Sequence, residues 1–318
     1  MHCVSEAVNP LHAAVFYRGD EEFLDAVLPF VLDGIAAGDR VHVALPTRNL
    51  ALLRKALGPN AAEVELVDMS DAGRNPARAF AMFSAALTSA PPRVRVRVVG
   101  EPVWPGREPD EYLSCLENEA LVNTAWADGR MLTLCPYDAM NLSDDVLADA
   151  RRTHPFVGCD GASAPSLDYA FQQVLTECNT PLHSDPAAVT YRLKEHTDLG
   201  AARQFALEQA RLLGLCEERT GDLSLVVTEL TTNSLQYTTG GCWLSLWRRQ
   251  DHLIVEVRDE GRLDDPLAGR RLPSPHSIGG RGLLLVNALT DLVRIHTAET
   301  GTTIQAHLAL TPMHEERS

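Results

Sequence analysis

The chain has 318 residues, a length typical of two domains. It is 45% hydrophobic and 22% charged, as expected for globular domains with substantial cores, and its net charge of −15 with a pI near 5.1 disfavours direct binding to nucleic acids or anionic membranes. The sequence contains no run of about eighteen apolar residues, so it does not predict a membrane span. It also lacks a basic segment followed by an apolar one at its start, so it does not predict a signal peptide.

Seven cysteines are scattered along the chain without a C-x-x-C pair. Their odd number and irregular spacing predict reduced thiols, most of them buried small hydrophobes. The pattern favours neither a disulfide framework nor a zinc site. We therefore expect a cytoplasmic protein.

Strand and helix patterns alternate through the first half of the chain. Strands are predicted at residues 12–17, 40–45, 63–68, 94–99 and 131–134, and helices at 20–38, 47–57, 76–89, 109–127 and 143–153. This alternation predicts an α/β domain with a mostly parallel, doubly wound sheet. The half contains neither a phosphate loop nor a G-x-G-x-x-G turn after the first strand, so the sequence does not predict a nucleotide site here.

Ligands of such domains dock at the carboxyl ends of the strands. The polar and aromatic residues predicted at these ends are Tyr17, Arg18, Glu101, Trp104, Cys135, Tyr137 and Asp138, and His12 opens the first strand. For each of them taken singly, packing or turn formation is the commoner role. The segment from Gly100 to Gly106, with two prolines and a tryptophan, is a candidate wall of a pocket.

Three short motifs give this half a resemblance to the MEDS sensory domain of bacterial regulators. They are His12…Phe16-Tyr17, Gly34…Gly38-Asp39-Arg40 and Gly100-Glu101-Pro102…Trp104. The resemblance covers residues 10–156 and implies a sensory module whose ligand the sequence does not identify. Residues 157–188, rich in Gly, Ala, Ser and Pro with one short helix at 167–178, are interpreted as a linker.

A second α/β pattern follows at residues 189–311, centred on a helix predicted at 221–237. Its apolar residues recur at helical spacing and predict one buried face; they are Leu223, Val226, Val227, Leu230 and Tyr237. Glu229 and Asn233 lie four residues apart, one turn above each other. The amide oxygen can ligate Mg²⁺ and the carboxylate can deprotonate a hydroxyl, although such a pair alone is more often a solvated stripe.

The residues downstream favour the functional interpretation. A predicted hairpin at 242–248 and 253–258 runs into Asp259-Glu260-Gly261, where an aspartate can accept a hydrogen bond from an exocyclic amine. A long loop at 262–278 ends in Gly279-Gly280-Arg281-Gly282, directly before a helix at 283–292. A glycine-rich turn at a helix N-terminus suits phosphates, and Arg281 would add positive charge.

The order of these elements, closed by Thr300-Gly301-Thr302 before a last strand, resembles the GHKL (Bergerat) ATP-binding fold, an α/β sandwich. The pairing of Asn233-Ser234 with Gly280-Arg281-Gly282-Leu283 is most similar to RsbW-like anti-sigma serine/threonine kinases of actinobacteria.

This resemblance implies a role for each motif residue in binding ATP and Mg²⁺. Glu229 would be the catalytic base and Asn233 would hold Mg²⁺ against the phosphates. Asp259 would bind the adenine amino group beside Gly261. The remaining cofactor-binding residues are Gly280 and Gly282 at the phosphates, Arg281 beside them and Thr302 at the adenine end.

Two positions depart from the family pattern. Leu263 stands where a second glycine is usual, and Tyr237 stands where a histidine often follows the asparagine. The predicted lid also contains three prolines. These departures bear on affinity and turnover more than on the fold.

Three functions are weighed on this basis. The first is an anti-sigma regulator in stress-response transcription, which sequesters a sigma factor and phosphorylates an antagonist protein under control of the sensory domain. The second is a GHKL module that acts by partner sequestration without turnover. The third is a sensor histidine kinase, disfavoured because the short segment around His196 leaves no room for two long helices. The resemblance also allows a homodimer, but no dimer surface is evident.

Overall fold

The structure is a computed structural model that describes residues 12–72, 75–126, 129–159, 162–272 and 280–311. The chain divides into two compact units, residues 1–73 with 82–178 and residues 74–81 with 179–318. Among the described helices, none combines the length and the apolar character needed to cross a bilayer.

The first unit is built on a seven-stranded sheet. Its strands are β1 (His12–Tyr17), β2 (Arg40–Leu45), β3 (Val64–Asp68), β4 (Val96–Gly100), β5 (Met131–Asp138), β6 (Phe156–Cys159) and β7 (Ala162–Pro165). The helices are α1 (Asp20–Ala37), α2 (Thr47–Leu57), α3 (Met69–Ala72), α4 (Pro76–Ser89), α5 (Pro109–Ala125), α6 (Asp144–Thr153) and α7 (Phe171–Cys178). The first residues of α4 are grouped with the second unit.

The strand order is β3-β2-β4-β5-β1-β6-β7, and all neighbouring strands are parallel except β6 and β7. The α/β class and the mostly parallel sheet expected from the sequence are therefore confirmed. Strand β1 lies between β5 and β6, with Tyr17 opposite Asp138 at its carboxyl end and His12 opposite Thr133 at its start. These two ends of β1 carry the polar clusters of this unit.

One glycine of the second sequence motif, Gly34, makes room for a buried ion pair. Nε of Arg97, on β4, donates to Asp39 at 2.8 Å, and its guanidinium also bonds the carbonyl of Phe30. A Cβ on Gly34 would lie 2.7 Å from Cδ of Arg97, so only glycine lets α1 approach this side chain. Gly38 ends α1 in the left-handed conformation with φ 72°, which favours glycine.

The segment interpreted as a linker is more structured than its composition indicated. Strands β6 and β7 extend the parallel sheet, and the short predicted helix is present as α7. Val174 of α7 is fully buried in a cluster with Leu116 and Ala120 of α5. The domain boundaries derived from the sequence stay a prediction.

The second unit is a five-stranded antiparallel sheet covered on one face by helices. Its elements are β8 (Val189–Leu193), α8 (Leu199–Leu213), α9 (Thr220–Tyr237), β9 (Cys242–Arg249), β10 (His252–Asp259), α10 (Gly282–Leu289), β11 (Leu292–Ala298) and β12 (Gly301–Ala309). The sheet order is β11-β12-β10-β9-β8, and the predicted hairpin is β9–β10. Alternate residues of these strands, such as Leu244 and Val255, pack against α8, α9 and α10 in a single core.

Helix α9 forms as predicted except at its last residue. Leu223, Val226, Val227 and Leu230 are buried against the sheet. Tyr237 was predicted on the same face, but 70% of its surface is exposed, so this prediction was wrong. The helix ends at Tyr237, and the backbone N–H of Thr238 closes it by donating to Ser234.

Candidate functional site

Helix α9 places Glu229 and Asn233 side by side on a half-buried face. The neighbouring positions Leu230 and Ser234 are buried, so the helix is held in a fixed rotation and the pair cannot turn into solvent. The structure therefore holds this carboxylate and this carboxamide on the same side of α9.

The start of α10 lies directly against this pair. A Cβ on Gly282 would lie 2.5 Å from Oε2 of Glu229 and 3.1 Å from Nδ2 of Asn233. Glycine at this position allows the close approach without a shift of the Glu229 side chain, and residues far apart in the sequence meet here. Among the described residues no side chain caps α10, so the N–H groups of its first turn stay available to an anion.

The end of strand β10 brings Asp259 to the other side of the site. Its Oδ2 accepts a hydrogen bond from the hydroxyl of Ser234 at 2.5 Å, and its Oδ1 accepts one from the N–H of Gly261 at 2.7 Å. A Cβ on Gly261 would lie 2.5 Å from Cγ2 of Thr238, so this position also needs glycine. A carboxylate has about four acceptor positions, so Asp259 keeps capacity for a further donor.

Burial is the main cause that raises the pKa of the neighbouring Cys242 thiol to about 12, and the charge of Asp259 adds to it. Cys242 lies opposite Asp259 in the β9–β10 ladder. This thiol is therefore protonated at neutral pH and adds no second negative charge beside Asp259.

Threonine hydroxyls hold the loop after Asp259 in place. Oγ1 of Thr302 donates to the carbonyl of Gly261 at 2.8 Å, and the N–H of Leu263 bonds the hydroxyls of Thr297 and Thr302 at 3.1 and 3.2 Å. Thr302 is itself buried in β12, so its hydroxyl holds the loop from a fixed position in the sheet. Leu263, the departure from the family glycine, packs against the core of the unit.

The structure thus brings together two groups of predicted site residues. Glu229 and Asn233 meet Gly282, and Asp259 and Gly261 meet Thr302. Gly280, with φ 82°, and the exposed Arg281 precede α10 in the described chain. Residues 273–279, which include the second half of the predicted lid and Gly279, lie outside the described residues.

Two contributors were not assigned a role from the sequence. Ser234 orients Asp259, and Thr297 helps to fix the loop through Leu263. The available signal for Ser234 was its position on the buried face of α9, since a buried hydroxyl needs a partner. No comparable signal marks Thr297, because its partner Thr302 lies opposite it only when β11 and β12 pair.

A cavity of about 560 Å³ lies on the opposite face of this sheet. Its lining includes Arg192, Trp243 and Glu256, which alternate with the core residues of their strands. It also includes Ser184, which precedes β8 in the chain. Asp259 reaches its edge, but Glu229, Asn233 and Gly282 do not line it. The cavity is therefore distinct from the groups gathered at the start of α10.

The first unit has its own polar cluster at the carboxyl end of β1. The Tyr17 hydroxyl donates to Oε1 of Glu101 at 2.7 Å, and Nδ2 of Asn49 donates to Oε2 of Glu101 at 2.8 Å. Burial raises the pKa of Glu101 to about 7, because it outweighs these two hydrogen bonds, and burial also raises the pKa of Tyr17 well above its usual value. Tyr17 and Glu101 were candidates from the sequence, and Asn49 was not.

Four other candidates at strand ends, Arg18, Trp104, Tyr137 and Asp138, have packing or turn roles. The guanidinium of Arg107 lies over the ring of Trp104 at 3.6 Å and bonds the Pro102 carbonyl, which makes the segment after Gly100 rigid. Asp138 accepts bonds from the turn that follows β5. Tyr137 is buried, and the backbone N–H of Arg18 bonds Glu22 in the first turn of α1.

Comparison with known proteins assigns each half of the chain to a class. The MEDS family, the methanogen/methylotroph, DcmR sensory domain, matches residues 11–155. The histidine kinase-like ATPase domain matches residues 193–308. The chain therefore carries an N-terminal MEDS domain followed by a C-terminal GHKL-like ATPase domain, as the sequence motifs indicated.

Other comparisons add little. The crystal structure of the SiaB-SiaC complex from Pseudomonas aeruginosa is similar over 38% of this chain and 88% of that chain, with 12% sequence identity and a TM-score of 0.30. A likeness of this size carries no argument about function. No curated protein matches the chain.

Proposed function

We propose that the second unit binds ATP with Mg²⁺ and transfers a phosphoryl group to serine or threonine of a partner protein. The observation that carries this proposal is the meeting of Glu229, Asn233 and Gly282 at an uncapped helix start. Gly282 brings the helix start close to the pair, the helix start provides N–H donors for phosphates, and the carboxamide provides an oxygen ligand of the kind that Mg²⁺ prefers. The residues present therefore fit the cofactor.

Each residue has a definite task in this proposal. Asn233 holds the metal ion, and the N–H groups after Arg281 hold the phosphates. Asp259, fixed by Ser234 and Gly261, accepts the hydrogen bond of the adenine amino group. Glu229 takes the proton of the acceptor hydroxyl. The bound nucleotide supplies the phosphoryl group, and the protein contributes positioning and charge neutralisation.

The partners follow from the resemblance to RsbW-like kinases. On that basis the protein sequesters a sigma factor and phosphorylates an antagonist that competes for it, and the MEDS domain regulates this exchange. The acidic net charge of −15 agrees with action through protein partners and without contact to DNA.

The first experiment is calorimetric titration of the full chain with ATP and Mg²⁺. We expect Asn233→Ala to weaken binding by at least about tenfold, because it removes a metal ligand. The matched control is Gln236→Ala, which removes an exposed carboxamide from the same helix and should bind as the wild type does. Equal affinities of the two variants would contradict the role of Asn233.

The second experiment separates binding from catalysis. Glu229→Gln should keep ATP binding but lower the phosphorylation of a candidate antagonist by about 100-fold or more, since it removes a general base while keeping its shape. Transfer at the wild-type rate would remove Glu229 from this role. Wild-type protein that binds ATP without phosphorylating any candidate would favour a module that acts by sequestration alone.

A further inference from the structure

Four metal-binding side chains converge in the core of the first unit. His12 lies on β1, Glu119 on α5 and Cys135 on β5, and His154 directly follows α6. All four residues are buried, and one donor atom of each lies within 4.8 Å of the other three. Oε2 of Glu119 is 2.9 Å from Nε2 of His154 and 3.3 Å from Nε2 of His12, and Sγ of Cys135 is 3.7 Å from the same nitrogen of His12.

Neighbouring groups determine which nitrogen of His12 faces the cluster. Nδ2 of Asn123 donates to the carbonyls of Thr153 and Ala120 at 2.8 and 3.1 Å. The side-chain oxygen of Asn123 therefore faces Nδ1 of His12, at 3.1 Å, and accepts a hydrogen bond from the N–H group there. In a neutral ring the lone pair is then on Nε2, which points at Glu119.

His154 is oriented in the same way. Its Nδ1 lies 2.8 Å from the carbonyl oxygen of Ala150, which can only accept, so Nδ1 carries the proton. Its Nε2 is buried and lies 2.9 Å from Oε2 of Glu119 without the alignment of a good hydrogen bond. The two imidazole nitrogens, the carboxylate and the sulfur therefore face one another, and such an arrangement of buried polar groups needs either a metal ion or protons between them.

We propose that His12, Glu119, Cys135 and His154 bind one zinc ion. Two nitrogens, one sulfur and one oxygen form a donor set that suits zinc, whereas calcium and magnesium prefer oxygen ligands alone. Ligands at zinc distances stand about 3.3 to 3.6 Å apart along the edges of a tetrahedron. The three separations of 2.9, 3.3 and 3.7 Å bracket this value.

Four protein ligands fill the tetrahedral coordination of zinc, so this site is structural rather than catalytic. It joins the two central strands β1 and β5 to α5 and to the end of α6. The ligands are separated by more than 100 residues between His12 and Glu119, so the ion would link distant parts of the first unit and stabilise it by mass action.

The test measures metal in the full chain, purified without a chelating resin. Elemental mass spectrometry of the acid-digested protein should give about one zinc per chain. Addition of a chelator should lower the unfolding temperature of the protein. Cobalt(II) added to the chelated protein should give the intense visible bands of a tetrahedral site and a charge-transfer band from the thiolate.

Cys135→Ser should remove the charge-transfer band and weaken zinc binding by at least about tenfold. Cys115→Ser is the matched control, because Cys115 is an equally buried thiol of the same unit that bonds the Pro102 carbonyl and lies outside the cluster. It should keep both properties. Glu119→Gln, a second variant with conserved shape, should weaken zinc binding without removing the band.

The proposal is overturned if the wild type holds no zinc and gains no stability from it, which would mean that protons hold the cluster together. It is equally overturned if Cys135→Ser binds zinc and gives the cobalt spectrum as the wild type does. If Cys135→Ser fails to fold, the wild-type metal content and the Glu119→Gln affinity decide the question.

Discussion

Gly301 offers a sharp test of how the part of the site around Asp259 is built. It begins β12 with φ 143°, a backbone conformation open almost only to glycine, and a Cβ at this position would lie 2.2 Å from the carbonyl oxygen of Asp259. The obstacle is a backbone atom, so a change of side-chain rotamer cannot relieve the overlap. Gly301→Ala should therefore destabilise the second unit and displace Asp259.

The magnitude follows from these two effects. The backbone conformation costs about 1 to 3 kcal/mol in a residue with a side chain. Forcing a methyl group into an occupied position costs about 1 to 3 kcal/mol more. We expect a total near 4 kcal/mol, most of it as a loss in the free energy of unfolding of this unit.

Hydrogen exchange read by mass spectrometry is the suitable assay, because peptides from β10 and β12 report the second unit separately from the first. Gly214→Ala is the matched control: φ is 98° at Gly214, but the nearest atom to its Cβ is the end of the Arg248 side chain at 3.5 Å. It should cost only about 1 to 2 kcal/mol. Equal losses in the two variants would refute the argument from the contact with Asp259.

The remaining predictions concern two hydrogen-bonded carboxylates. Burial raises the pKa of Glu101 from 4.5 to about 7, so the folded first unit binds a proton more tightly than the unfolded chain does. Its free energy of unfolding should therefore fall, by up to about 3 kcal/mol, as the pH rises from about 4.5 to about 7. Glu101→Gln should flatten this dependence in urea unfolding, and an unchanged slope would assign it to another group. Ser234→Ala should weaken ATP binding about fivefold in calorimetry, because Asp259 loses a donor that orients it; unchanged affinity would mean that Gly261 alone suffices.

Regular elements were well predicted because their signals are local. The helix from Pro76 to Ser89 and the strand from Arg40 to Leu45 have the bounds that periodicity and breakers gave. Strands β6 and β7 were missed since each has four residues, too few for a period to show, and their glycine, serine and proline resemble a linker.

The candidate site in the second unit could be predicted because its residues sit in motifs whose order is fixed. Glu229 and Asn233 share one helix, and Gly282 is marked by its glycine-rich turn. Their contact could not be derived from spacing, since it depends on how α10 packs on α9. Tyr237 shows the limit of periodicity: it has the correct spacing, but the helix ends there and the core does not extend to it.

The first unit shows the converse case, in which neither spacing nor resemblance predicted the clusters. Absence of a C-x-x-C pair disfavoured a zinc site, but that argument applies to ligands close in sequence, and here each ligand comes from a different element. A parallel sheet brings together the ends of strands that are far apart along the chain. Only His12 opens a strand, whereas Cys135 lies within β5 and the other two ligands lie on or after helices, so the sequence carries no common signal for the four.

The two polar clusters lie at opposite ends of β1, and this separation distinguishes their roles. The cluster at His12 is closed, with four ligands sufficient for one ion, so it stabilises the sheet and leaves no coordination position for a signal. The cluster of Tyr17, Asn49 and Glu101 lies at the carboxyl end, where ligands of such folds dock. A ligand that donates a hydrogen bond or carries positive charge would favour the ionised form of Glu101, and its binding would then strengthen as the pH rises through about 7.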